Sequence, residues 1–145
     1  MASNMELRKG RHVVFELHAH IVFVPRYRKR IFDRDALQLL QQSFAGVCAD
    51  FETTLTEFNG EADHVHLLVN YPPKVALSGL VNSLKGVSAR RLRASRPDIM
   101  RKYWKGGLWS ASYFVASVGG APIAVLRRYI EGQQAPNEDS PSSPA

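Results

Sequence analysis

Apolar residues recur along this chain at two spacings, one suited to strands and one to helices. Residues 12–24, HVVFELHAHIVFV, are dense in β-branched and aromatic side chains and predict a long strand ended by Pro25. Over about 35–50, Leu37, Leu40, Phe44 and Val47 return at helical spacing, with Asp33 or Asp35 placed to cap the helix. Residues 52–60 alternate loosely and predict a second strand, ending near the turn signal Asn59-Gly60. Residues 63–71, DHVHLLVNY, predict a third strand, joined to the second as a hairpin. After the break at Pro72-Pro73, a helix over about 75–95 carries Leu77, Leu80, Val81, Leu84 and Val87 on its apolar stripe. Residues 96–108, with Pro97 and Gly106-Gly107, read as irregular, and residues 109–118, WSASYFVASV, as a fourth strand. Gly119-Gly120 form a flexible joint, and Pro122 suits the first turn of a last helix over about 122–134.

The predicted order is β-α-β-β-α-β followed by one more helix. That is the ferredoxin-like arrangement, an α+β domain with a mainly antiparallel four-stranded sheet. With 145 residues, 45% of them hydrophobic, the chain can bury one core and is short for two. A single domain over 1–134 is expected. The tail over 135–145 is rich in Pro and Ser, lacks the apolar content to order itself, and is expected to be disordered.

Charge narrows the partner. The formal net charge is +6, which favours a polyanion, because neutralising phosphates releases counterions. The cations concentrate in the knot Arg26-Tyr27-Arg28-Lys29-Arg30 and in the later part of the second helix, at Lys85, Arg90, Arg91 and Arg93. Either group can equally be a solvated charged face. Cys48 is the one cysteine, so neither an intramolecular disulfide nor a Cys-rich zinc site can form, and its apolar helical setting predicts a buried, inert thiol. Residues 1–10 are polar and charged, unlike a signal peptide, and no apolar run approaches the ~20 residues that span a bilayer. A cytoplasmic protein is expected.

Two features carry chemistry. In Asp63-His64-Val65-His66, alternate side chains of a strand share a face, so His64 and His66 project together while Val65, Leu67 and Val69 face a core. Two adjacent imidazoles can share a divalent ion. His18-Ala19-His20 has the same spacing on the first strand, and spacing alone does not choose between the pairs. On the last helix, Tyr129 and Gln133 lie four apart and share a face, beside the packing stripe Ile123, Leu126 and Ile130. A helical tyrosine is also a common packing residue.

Taken in order, His20-Ile-Val-Phe with Tyr27-Arg-Lys-Arg, Asp63-His-Val-His-Leu-Leu, Leu84-Lys-Gly-Val-Ser-Ala-Arg-Arg, Leu108-Trp-Ser-Ala-Ser-Tyr-Phe-Val and Tyr129-Ile-Glu-Gly-Gln resemble the small single-tyrosine HUH transposases (TnpA, IS200-like) of bacterial insertion sequences. The resemblance runs from about Gly10 to Gln133. It implies that His64 and His66 are the metal-binding pair, that Gln133 is the third protein ligand, that Tyr129 is the nucleophile, and that the metal is Mg²⁺ or Mn²⁺. It implies that His20 is not a ligand and gives His18 no role. The implied substrate is single-stranded DNA with a hairpin, cleaved and rejoined through a 5′-phosphotyrosine by a homodimer whose tyrosine helix acts in cis or in trans. Arg28, Lys29, Lys85, Arg90 and Arg91 are the expected phosphate contacts, Tyr27 and Trp109 can stack on unpaired bases, and Trp109 can equally be a core residue. The competing classes are a domesticated REP-associated relative, a non-catalytic ferredoxin-like nucleic-acid-binding module, and a metal hydrolase that would not need Tyr129.

Overall fold

A computed structural model describes residues 8–9, 14–15, 17–103, 107–117 and 130–132. Its main sheet has four strands, β3 (His18–Phe23), β4 (Thr54–Glu61), β5 (His64–Asn70) and β6 (Phe114–Ser117), in the order β4-β5-β3-β6 with every neighbouring pair antiparallel. With helices α1 (Arg34–Asp50) and α2 (Leu77–Ser95) between the strands, this is the expected ferredoxin-like order. The helices cover one face. Ile21 and Phe23 of β3 and Val65, Leu67 and Val69 of β5 form one core with Leu40 and Phe44 of α1 and Leu80 and Leu84 of α2. These residues sit at period two on the strands and at helical spacing on the helices.

Four local readings are corrected. The strand expected over 12–24 is divided: Val14–Phe15 (β2) pairs with Arg8–Lys9 (β1) in a separate ladder, and the main-sheet strand begins at His18. The hairpin does not turn at Asn59-Gly60, because β4 continues to Glu61. Gly60 serves as a close approach instead: a Cβ there would lie 2.5 Å from Leu37 Cδ2 of α1. Residues Pro97–Tyr103 form a helix, α3, where irregular chain was expected. Pro97 occupies a helix start rather than acting as a breaker, Asp98 lies in the first turn, and Ile99 and Met100 are buried in the core. The last described strand begins at Phe114, not at residue 109. Trp109 makes only an isolated bridge to Pro25, because its indole is drawn into the core, where Nε1–H donates to Ser88 Oγ at 3.0 Å. The expected last helix lies outside the described residues except for 130–132, which are helical, and the tail lies wholly outside them.

Of the two candidate caps for α1, Asp33 is the one used: its carboxylate accepts from the Ala36 backbone N–H at 2.9 Å. Arg96, at the end of α2, donates through both terminal nitrogens to the two oxygens of Asp33, at 2.8 and 2.9 Å. That guanidinium first, and the Ala36 N–H second, hold the Asp33 carboxyl at about 2 rather than its ordinary 3.8. A carboxyl depressed on folding adds stability that is complete above its unfolded value and is lost as pH falls toward its folded one. Asp33→Ala is expected to cost about 1–2 kcal/mol at neutral pH, most of it from the lost cap, since the partner pair is largely solvated. In urea denaturation the gap between wild type and variant should close as pH falls from about 5 to about 2; a gap constant over that window would contradict the linkage.

Cys48 is buried, and burial pushes its thiol up to about 12. A thiol-reactive dye should therefore label the unfolded protein and leave the native protein unmarked over the same period.

Candidate active site

Paired residues of an antiparallel ladder share a face, and the register sets His18 opposite Asn70, His20 opposite Leu68 and Val22 opposite His66. The face of the sheet turned away from α1 and α2 therefore carries His18, His20, His64 and His66 together. His64 and His66 project as the period-two reading requires, while Val65 and Leu67 between and beyond them are fully buried in the core.

Each histidine has its own surroundings. His64 Nδ1 lies 3.0 Å from Asp63 Oδ1, and its side chain is 20% exposed. His66 is half-buried, and its Nε2 meets His20 Nδ1 at 2.7 Å, with the rings stacked at a centroid separation of 4.8 Å. Burial first, then the neighbouring His20 and His64, push His66 below its ordinary pKa, while Glu57 opposes them. That shift favours the neutral imidazole, the form that offers a lone pair to a cation. His18 is set apart, with its Nε2 3.3 Å from Asn70 Nδ2.

The structure brings His20 to the pair although spacing left it with His18 in a rival motif. Its diagonal position to His66 across the β3–β5 ladder was the available signal, and it needed the register. Among the described residues no group of three His, Cys, Asp or Glu could hold a metal ion. His64 and His66 are the adjacent imidazoles on this face of β5. Tyr129 and Gln133 lie outside the described residues.

Asp63 is buried beside these histidines. Burial opposes its charge, but hydrogen bonds from His64 and then Arg28 outweigh it and keep the carboxyl below its usual range. Arg28 Nε donates to Asp63 Oδ2 at 2.7 Å, and Arg30 stands 3.7 Å from the same oxygen. Arg28 reaches it from a 3₁₀ turn over Arg26–Arg28 in which Tyr27 (φ 61°) and Arg28 (φ 51°) are left-handed. Two non-glycine residues in that region cost on the order of 1–2 kcal/mol each and persist only where their surroundings hold them.

The expected phosphate contacts divide into two groups. Lys29, Arg30, Arg90 and Arg91 are exposed. Arg28 is turned inward to Asp63, and Lys85 donates to the carbonyls of Ser110 at 2.9 Å and Ala111 at 3.4 Å. Burial, then the charge of Arg26, lowers the Lys85 pKa. Of the two candidate stacking residues, Tyr27 is 50% exposed, whereas Trp109 belongs to the core.

Known proteins agree with this architecture. The family model described as "Transposase IS200 like" matches residues 13–133. The ISDra2 transposase TnpA of Deinococcus radiodurans is 32% identical over 129 residues, covering 89% of this chain and 92% of that protein. The transposase for insertion sequence element IS200 of Salmonella typhimurium is 30% identical over 122 residues, covering 84% and 80%. A crystal structure described as that of a transposase from Deinococcus radiodurans superposes with a TM-score of 0.82 at 30% identity, over 88% of this chain and 98% of that one. The structure of a REP-associated tyrosine transposase bound to a REP hairpin shares the fold at a TM-score of 0.53 and 11% identity, over 86% and 68%. The chain belongs to the IS200-like transposase family.

Proposed function

We propose that the protein cleaves and rejoins single-stranded DNA at the hairpin-marked ends of a mobile element. The observation that carries this reading is the placement of His64 and His66 on one face of the sheet, in a chain of this family that has Tyr129 four residues before Gln133 in sequence. The Tyr129 oxygen attacks the phosphorus, the bond to the 3′-oxygen breaks, and the phenolic proton is lost. The products are a 5′-phosphotyrosine and a free 3′-hydroxyl. A later 3′-hydroxyl reverses the attack and regenerates the tyrosine, so the ester conserves the bond and no nucleotide cofactor is consumed.

Mg²⁺ or Mn²⁺, held by His64, His66 and Gln133, would neutralise the non-bridging oxygens and align the phosphate for in-line displacement. The chain itself supplies the imidazoles of His64 and His66 and exposed cations at Lys29, Arg30, Arg90 and Arg91 to hold the DNA backbone. Tyr27, the more exposed of the two candidate aromatics, supplies a face for an unpaired base. A homodimer is part of this reading, with Tyr129 serving its own or its partner's histidines. No described helix is long and apolar enough to cross a membrane, and the proposed place of action is the cytoplasm, on DNA.

The test is a denaturing gel of protein incubated with hairpin-bearing single-stranded DNA and Mn²⁺. A covalent adduct supports the proposal. Cleavage without an adduct points to a hydrolase, and hairpin binding without cleavage points to a non-catalytic module. A domesticated REP-associated relative would form the adduct on dispersed genomic hairpins rather than on the ends flanking its own gene.

A further inference from the structure

We infer that Asp63 is a positioning residue that fixes the His64 ring so that Nε2 faces outward with its lone pair free, and that Arg28 anchors Asp63 for this task. The inference rests on the proposed metal role of His64 and assigns the group that prepares it. A carboxylate engaged by a guanidinium only accepts hydrogen bonds. Asp63 Oδ2 accepts from Arg28 Nε at 2.7 Å, so Oδ1, 3.0 Å from His64 Nδ1, requires the proton to sit on that nitrogen. Nε2 is then the unprotonated nitrogen. A ligating histidine commonly donates its other N–H to a carboxylate, which sets tautomer and orientation together.

Three observations separate this arrangement from a chance ion pair. The Asp63 side chain is only 7% exposed, against 72% for Arg30 nearby. Asp63 sits in the turn between β4 and β5, next to His64, so the carboxylate and the ring are held by one piece of backbone. Arg28 reaches Asp63 from the left-handed turn at Tyr27 and Arg28, a conformation that must be held by its surroundings and that delivers the guanidinium to this carboxylate. His66 Nε2 instead meets His20 Nδ1, and among the described residues the carboxylate that acts on it is Glu57, through its charge. The two ring nitrogens on offer are therefore prepared in different ways.

The decisive variant is Asp63→Asn, which keeps the volume and removes one acceptor. Its single carbonyl oxygen is claimed by the charged Arg28 donor, which turns the amide N–H toward His64 Nδ1. Nδ1 must then accept, and the proton moves to Nε2. Long-range proton–nitrogen NMR of the metal-free protein, at a pH where the ring is neutral, should show His64 as the Nδ1–H tautomer in wild type and the Nε2–H tautomer in Asp63→Asn. Calorimetric titration with Mn²⁺ should show affinity falling about 10–100-fold in the variant, with the thermal midpoint measured alongside. A wild-type His64 found mainly as Nε2–H overturns the inference without any variant, so a poorly folding Asp63→Asn does not shelter it. Equal Mn²⁺ affinity in wild type and a folded Asp63→Asn overturns the positioning role and leaves the metal reading standing. A wild type that takes up no Mn²⁺ overturns both.

Discussion

Tyr129→Phe is expected to eliminate the covalent protein–DNA adduct and to lower cleavage by at least about 10⁴-fold, since removing the group that forms the covalent bond discards the nucleophile itself and not an accessory contribution. Phenylalanine keeps the ring and most of the side-chain volume, so the substitution removes little besides the hydroxyl. Hairpin affinity in the presence of EDTA should stay within about twofold, because the exposed cations that neutralise phosphates are untouched. The described nucleophiles make poor substitutes. Cys48 is buried with its thiol pushed up to about 12. Tyr27 and Tyr113 are exposed, and the ring of Tyr113 lies under Lys85 Nζ at 5.7 Å from its centroid. An adduct persisting in Tyr129→Phe would move the nucleophile to one of these, and peptide mapping of the adduct would say which. Loss of hairpin binding together with cleavage would instead show that the tyrosine is structural.

The sheet was legible because its burial is one-sided. Val65, Leu67 and Val69 alternate with polar or half-buried neighbours, and that alternation fixes both the strand and the face on which His64 and His66 stand. Asp33 was legible as one of two caps, and the choice between them fell to a distant residue, Arg96, whose fork fits the Asp33 carboxylate. What stayed hidden depends on partners far along the chain. Trp109 reads as the start of a strand until Phe23, Phe32 and Ser88 claim its indole. Pro97 reads as a breaker, although the same fixed φ serves to open a helix. Arg28 and Lys85 read as phosphate contacts because charge is visible in sequence, whereas their acceptors, Asp63 and the carbonyls of Ser110 and Ala111, are set by tertiary structure. His20 was set aside for the same reason: its contact with His66 exists only once β3 and β5 are in register. The roles of Tyr129 and Gln133 came from motif order, since a helical tyrosine four residues before a glutamine has no distinguishing chemistry by itself.

His66→Ala should remove metal-dependent cleavage, with a loss of roughly 10²–10⁴-fold, the size of several kcal/mol of charge stabilisation at the phosphate. Excess Mn²⁺ should recover part of the activity if the remaining His64 and oxygen donors still bind the ion weakly, and hairpin affinity without metal should be nearly unchanged. The comparison that gives this result its meaning is His20→Ala. The two rings touch, at 2.7 Å between nitrogens, so each substitution disturbs the same corner of the sheet. If His66 is the ligand and His20 only packs against it, His20→Ala should lower Mn²⁺ affinity far less than His66→Ala does, while a general loosening of the site would lower both alike. A His20→Ala protein as inactive as His66→Ala, with its fold intact by circular dichroism, would mean that the site depends on the His20–His66 contact itself and would count against His66 acting alone. The stacked geometry makes this a fair contest: the ring planes meet at 29°, so removing either imidazole opens the same space, and what differs between the variants is which nitrogen is lost. The direction of the expected asymmetry follows from placement, because His66 shares its strand and its face with His64 two residues away, whereas His20 stands on β3.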